Sequence, residues 1–146
     1  MDHRPILLIG LLALVLAGCG AGEDAGASGS TSGDVRTVAV TLDDSMEIEL
    51  SATDFRVGET VRFEVTNAGA APHEFYLGDA DEQAAHAEEM AEMEMAHDDP
   101  NGVSVDPGAT ETLEYTFDQA GEIFAGCHEP GHYEAGMVAS LTVAGE

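Results

Sequence analysis

Cys127, His132 and Met137 follow one another at five-residue intervals in Cys127-His128-Glu129-Pro130-Gly131-His132-Tyr133-Glu134-Ala135-Gly136-Met137. Pro130-Gly131 turns the chain between the first two, and His73, in Ala71-Pro72-His73-Glu74-Phe75, adds a second imidazole from upstream. Two imidazoles, one thiolate and a weak thioether form a donor set suited to copper. Cu(I) prefers soft sulfur and accepts trigonal geometry, while Cu(II) is comfortable with imidazole nitrogen. Little then has to move when one electron is gained or lost. The thiolate must lose its proton to bind, so metal loading should weaken in acid. Zinc also takes Cys and His, but a thioether suits it poorly and structural zinc sites usually draw on paired cysteines. A Cys127–His128 nucleophile pair is weaker still. Neighbouring strand residues point to opposite faces, so His128 is expected at the surface, at most a secondary metal contact.

The other cysteine belongs to a different argument. Two cysteines in 146 residues nearly exclude a disulfide framework. Ile6 to Leu16 is an apolar run, too short to span a membrane and the right length for a signal-peptide core. It ends in Leu16-Ala17-Gly18-Cys19, which resembles the lipobox of bacterial lipoproteins. That resemblance implies cleavage before Cys19 and lipidation of Cys19. The segment that follows, to Gly33, is Gly, Ala, Ser, Thr and acid with no large apolar side chain, the composition of a flexible tether. The expected organisation is a signal peptide over 1–18, a lipidated linker over 19–34 and one domain over 35–146. The net charge of −25, from four cations against 29 acids, repels nucleic acid and anionic headgroups and favours a basic protein partner.

From Val35 onward the pattern is that of strands. Thr37 to Leu42, Met46 to Leu50, Val61 to Thr66 and Thr110 to Phe117 alternate apolar and polar residues with period two. His73 to Leu77, Glu122 to Cys127 and Val138 to Val143 read as three more. Short strands between polar turns predict an all-β Greek-key sandwich or barrel. Asp79 to Asp99 breaks the pattern: it is dense in Ala, Glu and Met, which are helix formers, and Asp79 with Glu82 offers a capping box. On a helix His86, Met90, Met93 and His97 fall on one stripe. Two readings stand: a helix packing its Met face on the domain, or an accessory copper site. Histidines amid methionines suit metal better than a packed face.

The spacing Cys-x4-His-x4-Met, with a histidine some fifty residues upstream, resembles the cupredoxins, the small blue copper proteins of the plastocyanin, azurin and rusticyanin kind. The resemblance spans Val35 to Val143. It is carried also by Val57-Gly58-Glu59-Thr60-Val61-Arg62-Phe63, by Pro72-His73-Glu74-Phe75 and by Val105-Asp106-Pro107-Gly108. Carried over by position, it implies that His73, Cys127 and His132 are equatorial ligands of a type 1 copper and Met137 the axial one. It implies three ligands on one loop between adjacent strands, with His73 reaching in from a strand beside it. One metal centre with no sign of a substrate pocket argues against an enzyme. The first expectation is a membrane-tethered carrier of single electrons, serving a redox partner with a basic docking surface. The alternative is an extracytoplasmic copper-binding protein for delivery, buffering or resistance, supported by the Met/His insert. A metal-free sandwich module would make the four ligands a coincidence.

Overall fold

Val61, Phe63 and Val65 are fully buried, while Arg62 and Glu64 between them are exposed; this period-two pattern forms a strand over Thr60–Asn67. The computed structural model of the chain describes residues 35–92 and 99–145. In chain order the strands are β1 Arg36–Leu42, β2 Ile48–Leu50, β3 Asp54–Arg56, β4 Thr60–Asn67, β5 His73–Gly78, β6 Gly102–Val105, β7 Thr110–Thr116, β8 Gly121–Gly126 and β9 Val138–Ala144, and helix α1, Ala80–Glu92, lies between β5 and β6. They form a four-stranded sheet in the order β2-β1-β4-β7 and a five-stranded sheet in the order β3-β9-β8-β5-β6. The pairs β1–β4 and β3–β9 are parallel and the others antiparallel. This is the expected all-β sandwich, and its sheets enclose one apolar core.

Four phenylalanines sit at the centre of that core. Phe55 stacks on Phe117 at 4.5 Å between ring centroids, and Phe63 meets Phe75 at 5.3 Å. Cys127 and Met137 are fully buried members of the same cluster, so the sulfur-bearing part of the candidate site is an extension of the core. Met46 packs against the cluster from a turn, at φ 65°, and the strand that follows begins only at Ile48. Two short strands, β3 and β6, were not expected from the sequence.

β5 is buried along its whole length, unlike the half-exposed β4. Phe75 and Leu77 enter the core, and α1 packs over the other face, where Glu74 and Tyr76 are buried. The capping box is formed: Asp79 Oδ1 accepts from the Glu82 amide at 2.9 Å, and Glu82 Oε2 accepts from the Asp79 amide at 2.8 Å. The helix that docks there turns Gln83 and His86 inward. No helix among the described residues is long and apolar enough to cross a membrane.

Candidate metal centre

The loop from Cys127 to Met137 leaves β8 and returns as β9, and it is closed at its base. Gly126 pairs with Val138 in the ladder, and the Cys127 amide donates to the Met137 carbonyl at 3.1 Å. Inside the loop the His132 amide donates to Glu129 O at 2.9 Å and the Met137 amide to His132 O at 3.0 Å. Gly131, at φ +84°, supplies the left-handed residue that the turn after Pro130 requires. β5 runs antiparallel beside β8, with Tyr76 opposite Gly126, which brings its first residue, His73, to the loop.

Three of the four expected ligands meet there. His73 Nδ1 and His132 Nδ1 lie 3.2 Å apart, and Cys127 Sγ lies 3.9 Å from the first and 3.4 Å from the second. All three donor atoms fall within 4.8 Å of one another, an arrangement that can hold one metal ion. Met137, fully buried, closes the same loop. The donor chemistry fits copper: a thiolate and two imidazoles brought together, two of the three residues buried, with a thioether in the same loop.

Main-chain and carboxylate groups hold these donors in place. The Glu74 amide donates to Cys127 Sγ at 3.3 Å. Burial pushes the Cys127 thiol up to about 11, and the hydrogen bonds from the Glu74 and Glu129 amides oppose that rise. Asp44, in the turn after β1, accepts from the Ala70 amide at 2.8 Å and the Ala71 amide at 3.2 Å, and it faces His73 Nε2 at 3.3 Å. Those two amides, ahead of the histidine, hold the Asp44 carboxyl below its ordinary range. A carboxylate on Nε2 fixes the tautomer that leaves Nδ1 free to ligate. Asn67, fully buried, donates to Ala71 O and Val105 O, both at 2.8 Å, and accepts from the Gly69 amide. Asp44 and the Asn67–Val105 contact carry no local sequence signal, because His73 and Val105 are 29 and 38 residues away along the chain.

His128 departs from expectation. It does turn away from the thiol, but the side it turns to is covered by α1, so it is buried rather than a surface residue. Its Nε2 lies 2.7 Å from Gln83 Oε1, and its ring stacks on Tyr133 at 4.6 Å. Burial, then the charge of His86, depress its pKa to about 4. Gln83 completes the bridge by donating to Phe124 O at 2.8 Å and Tyr76 O at 3.2 Å. Gly126 is required by this close approach: a Cβ there would sit 2.5 Å from Gln83 Oε1 and 2.8 Å from Tyr133 Cε2.

The stripe on the insert is described only in part. His86 is buried against β5, its ring stacked on Tyr76 at 3.8 Å and its Nε2 2.9 Å from Glu74 Oε1. Met90 is half-buried and lines a groove with Ala87, Ala91, His128, Pro130 and Tyr133. Met93 and His97 lie outside the described residues, as do Cys19 and the rest of 1–34.

A Greek-key sandwich that gathers a cysteine and two histidines at one end of its sheets defines a cupredoxin. The chain belongs to the copper binding proteins of the plastocyanin/azurin family, which it matches over residues 36–144, and copper is the metal of that family. Three relatives are copper-resistant cuproproteins CopI. That of Rubrivivax gelatinosus is 43% identical over 109 residues, covering 74% of this chain and 66% of the relative. Those of Pseudomonas aeruginosa and Vibrio cholerae are each 38% identical, over 138 and 108 residues, covering 74% and 73% of this chain and 76% and 64% of theirs. The chain therefore spans about two thirds to three quarters of the length of these relatives. The fold is similar to that of a dithionite-reduced auracyanin from Roseiflexus castenholzii, with TM-score 0.64 and 24% identity over 77% of this chain and 99% of that one. Auracyanin A from Chloroflexus aurantiacus gives TM-score 0.58 and 21% identity over 74% and 98%.

Proposed function

We propose that this protein binds copper outside the cytoplasm and serves copper tolerance, with His73, Cys127 and His132 as principal ligands and Met137 as a weak fourth. The observation that carries the proposal is the meeting of the three donor atoms within 4.8 Å, with His73 and Cys127 buried and His132 partly so. The likeness to copper-resistant cuproproteins supports tolerance over the electron carriage that the ligand set alone suggests first. Copper bound to such a set supplies one-electron chemistry between Cu(I) and Cu(II). The residues of this chain hold the donors together, bury His73 and Cys127, and place a carboxylate on His73 Nε2 so that Nδ1 faces the other donors. The apolar run before Cys19 supports export, and Cys19 supports a lipid anchor that keeps the domain near the membrane surface. The net charge of −25 supports a basic protein partner, with association weakening as salt rises.

The test has two arms. Cu(II) added to the soluble domain gives an intense blue or green thiolate-to-copper band that Cys127→Ser abolishes; a colourless wild type overturns the ligand assignment. Cells lacking the protein grow less well in copper, and the wild type but not Cys127→Ser restores growth; unchanged growth removes the tolerance role. Electron transfer is the second reading. It is favoured by the Glu74 and Asp44 hydrogen bonds, which hold the donors in place through the protein's own groups. Copper retained through repeated reduction and reoxidation supports it, and copper lost to an acceptor counts against it.

A further inference from the structure

A second group of donors stands on the far side of Glu74 from Cys127. His86 and Glu89 are three residues apart on α1 and so lie on one helix face. Asp99 approaches them from the segment leading into β6. One imidazole nitrogen and two carboxylate oxygens, one from each residue, all fall within 4.8 Å of one another.

Each fixed member of the group already has its other atom engaged. His86 Nε2 is 2.9 Å from Glu74 Oε1, and Glu74 Oε2 accepts from the His128 amide at 3.2 Å, so an ionised Glu74 accepts through both oxygens. Nε2 then carries the hydrogen, and Nδ1 presents its lone pair to the group. A histidine whose second nitrogen donates to a carboxylate is the usual form of a metal-ligating histidine. Asp99 Oδ1 accepts from the Asn101 amide at 2.7 Å, which leaves Oδ2 turned towards His86 Nδ1 at 4.0 Å. That separation is too long for a hydrogen bond. It is close to what one ion imposes, because ligands at roughly 2.0–2.2 Å from a metal stand about 3–4 Å from each other. The histidine is 1% exposed, the aspartate 18%, and the glutamate lies at the surface, so the group has a buried floor and an open mouth.

We propose that His86, Glu89 and Asp99 form a second cation site, for a divalent transition ion of the Cu(II) or Zn(II) class. One nitrogen and two oxygens suit such an ion and suit Cu(I) poorly, since Cu(I) seeks sulfur. The site differs in chemistry from the methionine stripe expected on the same insert, and it does not depend on ligation by Cys127. Glu74 joins the two centres: its carboxylate orients His86 and its amide reaches Cys127 Sγ.

The test uses the protein loaded with one equivalent of copper, so that its blue band reports the first centre separately. Zn(II) is titrated against a chromophoric chelator, and bound metal is counted after dialysis. One further equivalent of Zn(II) binds with the blue band undiminished. Cu(II) in its place adds a second paramagnetic signal with coupling to one nitrogen. Glu89→Gln combined with Asp99→Asn keeps the blue band and loses about 10–100-fold in affinity for the second ion. Zn(II) that binds only by displacing copper overturns the proposal. So does an affinity unchanged in the double variant, or one lost instead in Met93→Leu with His97→Gln.

Discussion

Glu74 touches Cys127 with its backbone and His86 with its side chain: its amide donates to Sγ at 3.3 Å while its carboxylate lies 2.9 Å from Nε2. One residue of β5 therefore serves the metal loop on one side and the helix on the other. Replacing Glu74 with Ala keeps the amide and removes the carboxylate. The His86 ring and the His128 amide would then be left buried without that acceptor, at a cost of about 1–3 kcal/mol. Thermal unfolding of Glu74→Ala should show this loss, while the blue band of the copper-loaded protein remains. Glu74→Gln should fall between the two, because its amide offers one acceptor where two donors need one.

Asp44 is expected to act on the metal rather than on the fold. It is half-exposed, and it gathers the Ala70 and Ala71 amides and His73 Nε2 around one carboxylate. Asp44→Ala frees the ring of His73 to turn, and copper affinity should fall about 10–100-fold. Competition against a copper chelator measures this, and circular dichroism should be unchanged. Asp44→Asn, which keeps an oxygen acceptor, should recover part of the affinity.

Copper loading should release a proton from Cys127. Burial pushes the metal-free thiol up to about 11, so it is protonated at neutral pH, and only its thiolate binds. Between pH 6 and 8 this residue alone makes apparent affinity rise about tenfold per pH unit. Proton uptake by a weak buffer of known heat, followed calorimetrically during loading, checks the stoichiometry. Acid lowers affinity and alkali raises it; an affinity independent of pH over that range contradicts a thiolate ligand.

Gly126→Ala tests how the helix is fastened. The added methyl meets Gln83 Oε1 and the Tyr133 ring at distances no methyl tolerates. Either α1 lifts from β8 or the loop shifts. Amide exchange should quicken in Ala80–Glu92 while the strands around Phe63 and Phe117 keep their protection. Exchange unchanged in the helix would mean that the loop, and not α1, yields.

Much of this was legible from the residues. The apolar alternation of β1, β4 and β7 marks strands because each lies on a sheet with one face buried. The capping box of α1 is written in Asp79 and Glu82. Cys127, His132 and Met137 could be placed because one loop carries all three. β3 and β6, at three and four residues, are too short for a period to show. Asn67 begins a turn in the sequence, but its bond to Val105 O, 38 residues on, leaves no local mark, and neither does the approach of Asp44 to His73, 29 residues away. For His128, alternation gave the direction of the side chain but not the presence of a helix on that side.

The Cys127–His73 approach has a further consequence for how the molecule stays folded. The two residues are 54 positions apart, and the sheet brings them to 3.9 Å. An ion held by both is a cross-link over a loop of that length, joining the start of β5 to the end of β8. It narrows the freedom of the unfolded chain much as a disulfide does, in a domain whose one described cysteine has no sulfur partner. Copper is then also a structural clamp, and the loaded protein should outlast the metal-free one against heat and proteolysis in the place where it works.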